Sequence, residues 1–372
     1  MNEYDNSGKG STCELLTMRG IETFSGRVRY YLEDWHIVST SDSIMIDCPR
    51  FSSGEAKGIV LNSIRGKDVF ILSDPFNYSI TYKMRGQINN MSPDDHFQDL
   101  KRILSAIGGK AKRISVIMPM LYCGRQHRKQ SRESLDCANA LIELEMMGVS
   151  NIITFDAHDA RVQNAIPFRG FDDISPRYQM LKAFISDYGK EFIAENKMVI
   201  ISPDEGAFER SNNYSSALGA DVGMFYKQRN QKVIVCGKNP IVSQTYIGGN
   251  VCGKNVIVVD DMLSSGASLL NVFQLLKEMN AVTICAFVTF GLFCEGASLF
   301  DEAYEKGLFD KIYITNLTYT PENIKDKPWL RLVDMSKYVA YIIKAIHNNS
   351  SVGRMIAPDS KIHNLMKQVE LL

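Results

Sequence analysis

An α/β fold built on mostly parallel, doubly wound sheets follows from three features of this 372-residue chain. Short aliphatic runs alternate with amphipathic helical stretches, the pattern of strand–helix–strand units. Several runs are apolar at every position, as strands buried on both faces of a parallel sheet must be. The third feature is one segment in which Val256, Ile257, Val258 and Val259 lead into adjacent Asp260 and Asp261, a small-residue loop and a helical pattern. Small residues let a loop turn its backbone N–H groups inward, and a helix start adds its positive dipole end, so the segment can cradle a phosphate. The acid pair accepts hydrogen bonds from a sugar diol. A diol acceptor beside a phosphate cradle suits a ribose phosphate, although an ordinary nucleotide-binding βα unit carries similar parts.

Taken along the chain, strands are expected at 69–72, 114–118, 151–155, 198–202, 232–236, 255–259, 281–287 and 311–315, after an N-terminal hairpin. Helical patterns fall at 134–147, 178–196, 265–279, 298–306 and 337–345. So many strands exceed what one sheet of this kind needs, and two sheets fit better. The pattern breaks near 172–177, at an Asp-Asp pair followed by Ser-Pro. The expected organisation is an N-terminal extension over 1–20, one domain over 21–175, a second over 176–345 and a tail over 346–372.

The 42 Lys and Arg residues balance 42 Asp and Glu, so no basic excess points to nucleic acid or an anionic membrane. The apolar runs are too short to span a bilayer, and the polar first residues lack a signal-peptide core. Eight cysteines are scattered without a C-x-x-C pair, and Cys236 and Cys285 lie in apolar runs. That usage fits reduced thiols, not a disulfide frame or zinc site. A cytoplasmic protein is expected.

Four more clusters carry chemistry. After the strand ending near Pro119 come Gly124, Arg125, Gln126, His127, Arg128 and Lys129, then Arg132. Cations at the carboxyl end of a strand make an anion-binding rim, and Arg with Gln can hold a purine; a solvated charged loop is the plainer reading. Asp156 and His158 close the next strand, where they suit a Mg²⁺–nucleotide site. Asp204, after Ser202 and Pro203, is either a carboxylate for the same metal from the facing side or a turn cap. Lys227 and Arg229 alternate on an extended segment, as a pair neutralising a reacting phosphoryl group would, or as a solvated turn would.

In order and spacing, these pieces resemble the ribose-phosphate pyrophosphokinases. The resemblance runs from about residue 48 to 352 and includes Phe51, Ser53, Gly54 and Glu55, the Ile64-Arg65-Gly66 stretch, Arg125 with Gln126, Asp156 with His158, Asp204, Lys227 with Arg229, Asp260 with Asp261, and His347 to Val352. It implies two tandem phosphoribosyltransferase type I-like domains. ATP would contact Arg125 and Gln126. Phe51, Ser53, Gly54 and Glu55 would reach the adenine bound to a neighbouring subunit, which implies a homo-oligomer, commonly a hexamer. His158 and Asp204 would serve Mg²⁺, with Asp156 nearby. Lys227 and Arg229 match the catalytic pair, beside His158. Asp260, Asp261, Ser264, Ser265, Gly266, Ala267 and Ser268 match the ribose-phosphate site.

The implied reaction moves the diphosphoryl group of MgATP to the anomeric hydroxyl of ribose 5-phosphate, giving phosphoribosyl pyrophosphate and AMP. Several positions depart from the family. Ser53 and His127 stand where an acid is common, Ser264 where many members have Asp, and Ala267 where Gly is usual. The stretch around 163–173 is longer than usual, so either Asp172 or Asp173 takes the carboxylate role. Loss of an acid in the sugar-phosphate loop motivates a second reading, the same chemistry on ADP-ribose. A non-catalytic regulatory homologue conflicts with retention of Lys227, Arg229 and His158, and an ordinary phosphoribosyltransferase would need only one such domain.

Overall fold

The computed structural model describes residues 12–40, 44–129, 131–189, 192, 198–229 and 241–370. The chain forms two compact units. The first holds the described residues up to Ile174 with Leu317–Tyr319 and Ser336–Ile356; the second holds Ser175–Asn316, Thr320–Met335 and the residues from Ala357.

In the first unit five parallel strands lie side by side in the order Cys13–Thr17, Asp68–Leu72, Arg113–Ile117, Asn151–Phe155 and Gly170–Ile174. Alternate side chains enter different cores, as a pleated strand requires. Leu16, Val69, Ile71, Ile114, Val116 and Ile152 pack with helices Pro93–Ile107 and Asp136–Met146. Leu15, Phe70, Leu72, Ile117, Ile153 and Phe155 are buried as well. Helix Pro93–Ile107 starts sharply: Ser92 and Asp95 form a reciprocal capping box with Pro93 behind the cap. Helix Glu22–Asp34 packs against Ser336–His347, with Trp35 and Tyr341 rings 4.5 Å apart.

Among the described residues the sheet of the second unit has seven strands in the order Ile241–Ile247, Asp221–Arg229, Met198–Ser202, Asn255–Leu263, Ile284–Gly291, Lys311–Thr315 and Leu330–Val333. Only Ile241–Ile247 runs antiparallel to its neighbour. Val199, Ile201, Val256, Val258, Ala286, Val288, Ile312 and Ile314 share a core with helices Ala267–Glu278 and Ser298–Glu305. Phe287 meets Phe184 of helix Arg177–Tyr188 and Tyr214 of helix Phe208–Leu218. Helices thus cover both faces, and the strand order reverses between Met198–Ser202 and Asn255–Leu263.

Several expected boundaries move. The span expected as an extension contains Cys13–Thr17, a strand buried along Cys13 to Leu16 and paired to Asp68–Leu72. Its alternation with charged Glu14 hides it in the sequence; Glu14 is nonetheless buried, accepting from Ile44 N–H and Lys67 Nζ. Helix Ser336–His347, expected in the second domain, belongs to the first unit because its apolar face needs helix Glu22–Asp34. The expected tail contains helix Asp359–Glu370, which packs on helices Arg177–Tyr188 and Phe208–Leu218. The helix expected over 178–196 is described as Arg177–Tyr188. The strand expected over 232–236 lies outside the described residues.

Candidate functional site

In an open parallel sheet, ligands gather beyond the carboxyl ends of the strands, where the order reverses. In the second unit that place lies between Met198–Ser202 and Asn255–Leu263, paired in parallel from Met198↔Asn255 to Ile201↔Val258. Asp204 follows the first strand. Its Oδ1 accepts from the backbone N–H of Gly206 (3.1 Å) and Ala207 (3.3 Å), while Ser202 Oγ donates to its carbonyl (2.6 Å). The turn-cap reading is therefore realised, and it fixes the carboxylate beside the switch point. Arg210, in the first turn of the next helix, was not singled out from sequence; its only signal there is its place six residues after Asp204.

Asp260 and Asp261 lie inside their strand, because the ladder to Ile284–Gly291 continues through Met262↔Phe290 and Leu263↔Gly291. Asp261 is buried, and its N–H donates to Asp260 Oδ1 at 2.9 Å. Burial first, and then the adjacent Asp261, push the Asp260 carboxyl well above the ordinary carboxylate range; Arg210 pulls it back and Asp204 adds to the rise. Asp261, Arg210 and Asp204 therefore all act on Asp260 at the switch point.

The loop Ser264, Ser265, Gly266, Ala267 and Ser268 follows directly. Gly266 has φ 86° and caps helix Ala267–Glu278 without a side chain, and a Cβ there would stand 2.1 Å from Phe300 Cζ. Only glycine fits. The first N–H groups of a helix have no partner within it and face outward from the start, next to exposed Ala267 and Ser268. A loop so built can cradle a phosphate, and the acids beside it can accept hydrogen bonds from a diol. Lys227 and Arg229 end strand Asp221–Arg229; Lys227 pairs with Gln244, and a bulge falls between Gln228 and Arg229.

The first unit presents its own carboxyl-end cluster. After Arg113–Ile117 the chain turns through Cys123 (φ 54°) to Gly124, whose N–H donates to Leu121 O. Gln126 Nε2 donates to Ser134 O at 2.9 Å, closing the cationic loop on itself, and Arg125 is exposed. His127 Nδ1 lies 3.2 Å from Arg125 O, and its ring meets His158 edge-on with centroids 5.2 Å apart. Asp159, 3.5 Å from His127 Nε2, is held down to about 2 by its hydrogen bonds with Arg161. Asp156 takes φ 45°, the left-handed region that Asp tolerates better than most residues with a Cβ. Asp173 Oδ1 accepts from Ala157 N–H at 3.0 Å, whereas Asp172 sits one residue back in the pleat, its carboxyl pushed up by burial. Between the two candidate acids, Asp173 is the one joined to the Asp156–His158 turn.

Phe51, Ser53, Gly54 and Glu55 form a tight turn closed by Phe51 N–H to Glu55 O (2.7 Å) and Gly54 N–H to Phe51 O (2.9 Å). Ser53 Oγ donates to Glu55 Oε2 at 2.9 Å. The turn rests on the hairpin Thr81–Met84 and Gln87–Asn90, with Met84 against Gly54, and leaves Phe51 53% exposed. Among the described residues no three metal-ligating side chains stand preassembled. No helix among them is long and apolar enough to cross a membrane.

These two sheets make a protein of two phosphoribosyltransferase type I-like domains. Comparison with known proteins agrees. The N-terminal domain of ribose phosphate pyrophosphokinase matches residues 21–148, and the phosphoribosyl synthetase-associated domain matches 201–357. Ribose-phosphate pyrophosphokinase 3 of Saccharomyces cerevisiae is 27% identical over 82% of this chain and 87% of its own. Ribose-phosphate pyrophosphokinase 1 of Streptococcus pyogenes is 28% identical over 80% and 85%. The crystal structure of phosphoribosylpyrophosphate synthetase from Mycobacterium smegmatis shares the fold, with a TM-score of 0.74 at 22% identity, over 92% of this chain and all of that one. The chain belongs to the ribose-phosphate pyrophosphokinase family and is a transferase of that family's type.

Proposed function

We propose that this enzyme transfers the β,γ-diphosphoryl group of MgATP to the anomeric hydroxyl of ribose 5-phosphate. The observation that carries the reading is the acid pair Asp260–Asp261 beside an N–H-lined small-residue loop, at the switch point of the second sheet. The acids accept the 2- and 3-hydroxyls of the sugar, and the loop from Ser264 to Ser268 takes its 5-phosphate. Arg125 and Gln126 hold ATP in the first unit.

The sugar's anomeric oxygen attacks the β-phosphorus, and the bond from that phosphorus to the α–β bridging oxygen breaks. AMP leaves with the bridging oxygen, and the hydroxyl proton passes to solvent. Positioning and charge neutralisation carry such a transfer. Lys227 and Arg229 neutralise charge on the phosphoryl oxygens, and His158 faces the reacting phosphates.

The donors present suit Mg²⁺, which binds with a nucleotide through one or two carboxylates, phosphates and waters and so needs no preassembled cage. Asp156 and His158, with Asp173 behind their turn, would serve a Mg²⁺ in the first unit, and Asp204 would serve one in the second. When bound, Mg²⁺ withdraws charge from the phosphate oxygens. Exposed Phe51 on its braced turn suits burial against a second copy of this chain, as in a homo-oligomer.

The test is AMP release from MgATP by the purified protein, with ribose 5-phosphate and ADP-ribose in parallel. Turnover with ribose 5-phosphate supports the reading. Turnover only with ADP-ribose would change the acceptor, and none with either would make the chain a non-catalytic homologue.

A further inference from the structure

The ladder between Asn255–Leu263 and Ile284–Gly291 does not stop where the strands end. Leu292 N–H donates to Leu263 O (2.8 Å) and Cys294 N–H to Ser264 O (2.9 Å), so the chain after Gly291 follows the phosphate loop into its first residue. The side chains meet there as well: Cys294 Sγ lies 3.6 Å from Ser264 Oγ. Between these bonds Phe293 takes φ 46° although it is large and almost wholly buried. A bulky residue in the left-handed region is an outlier that persists only where its surroundings over-determine it. Here they do. Phe293 packs on Phe300 (5.6 Å) and Trp329 (6.0 Å), and Gly296 N–H closes the turn onto its carbonyl. Phe300 is also the ring that fills the space of a Cβ at Gly266. One aromatic platform therefore holds both the bend of the phosphate loop and the strained turn that delivers an exposed cysteine to it.

From this we infer that Cys294 is a positioning residue for the acceptor's 5-phosphate, aiming the Ser264 hydroxyl through the Sγ–Oγ contact. The inference rests on the proposed placing of the sugar phosphate at Ser264–Ser268. The Phe293 turn fixes where Sγ stands, and the Ser264 hydroxyl has one donor proton to share between sulfur and a phosphate oxygen. With the thiol as donor to Ser264 Oγ, that proton is left for the phosphate. Removing the sulfur frees the hydroxyl to rotate away. Neither ATP nor the bond-breaking step touches this contact.

The experiment compares steady-state kinetics of the full-length wild type, Cys294→Ala and Cys294→Ser, varying ribose 5-phosphate and MgATP separately, with melting temperatures beside them. Cys294→Ala should raise the acceptor KM about 3–10-fold, the scale of one hydrogen bond, and leave kcat, the ATP KM and the melting temperature in place. Cys294→Ser restores a donor and should return the acceptor KM to within about 2-fold of wild type. An unchanged acceptor KM in Cys294→Ala overturns the inference alone. So does a fall in kcat or melting temperature shared by both variants, since that marks a structural role. A wild type silent with ribose 5-phosphate overturns the proposed function, and the role of Cys294 with it.

Discussion

Replacing Gly266 by Ala tests the architecture of the phosphate loop with one methyl group. The glycine sits at φ 86°, and an added Cβ would lie 2.1 Å from Phe300 Cζ and 2.5 Å from Cε2, more than an ångström inside ordinary contact. Phe300 cannot retreat, being fully buried and stacked on Trp329 at 5.6 Å. The left-handed backbone costs about 1–2 kcal/mol for any residue with a Cβ, and forcing a methyl into a packed core adds about 1–3 kcal/mol. Gly219, at φ 62° with no atom within 4 Å of a built Cβ, supplies the control, because Gly219→Ala carries the backbone cost alone. Each kcal/mol lowers the melting temperature of a unit this size by about 2–4 °C. Gly266→Ala should therefore melt about 2–12 °C below Gly219→Ala, and Phe300→Leu in the Gly266→Ala background should recover part of the difference. Equal melting of the two alanine variants, or no coupling with Phe300→Leu in a double-mutant cycle, would refute the packing argument.

Three further outcomes are expected. Asp74 is buried and accepts from Phe76 and Tyr319 N–H, and burial raises its carboxyl to about 6. A folded value above the unfolded one means stability is greatest below about pH 4 and falls as pH rises through 6; urea unfolding should show that slope for wild type and lose it in Asp74→Asn. Arg113 pairs with buried Asp68, donates to Ile346 O and to Asn349 Oδ1, and stands beside His347 on Asp68. Arg113→Ala should destabilise the protein by about 2–3 kcal/mol by stripping a buried carboxylate, and proteolysis should then release the segment after residue 335 faster; an unchanged rate would show that Arg113 does not hold that segment. Lys227→Ala should cut AMP release at least about 100-fold with the melting temperature held, and retention of turnover would remove Lys227 from the chemistry.

The sequence was most legible where burial was most complete. Strands Asn151–Phe155, Met198–Ser202 and Lys311–Thr315 stand at the expected bounds because each has an apolar centre and is buried along at least four of its five residues. The strands that escaped are at or near sheet edges or carry polar residues: Cys13–Thr17 with Glu14, Gly170–Ile174 with its two acids, and Leu330–Val333 with Arg331. There the apolar period is interrupted. Helix Ser336–His347 was visible as a helix, but chain order gives no hint that it returns to the first unit. In the candidate site, the acid pair, the small-residue loop and the Asp156–His158 turn were legible as motifs. Asp173 over Asp172 was not, since only the pleat decides which acid meets Ala157 N–H. Arg210 and Cys294 were also hidden, because each gains meaning only from a neighbouring strand.

³¹P NMR of the reaction mixture tests transfer of a diphosphoryl group to a ribose phosphate most directly. With MgATP and ribose 5-phosphate, AMP and a new sugar diphosphate signal should rise in equal amounts, with neither ADP nor free phosphate, and both signals should be lost in the Asp260→Asn, Asp261→Asn double variant. ADP as the product, or AMP formed without the sugar phosphate, would contradict it.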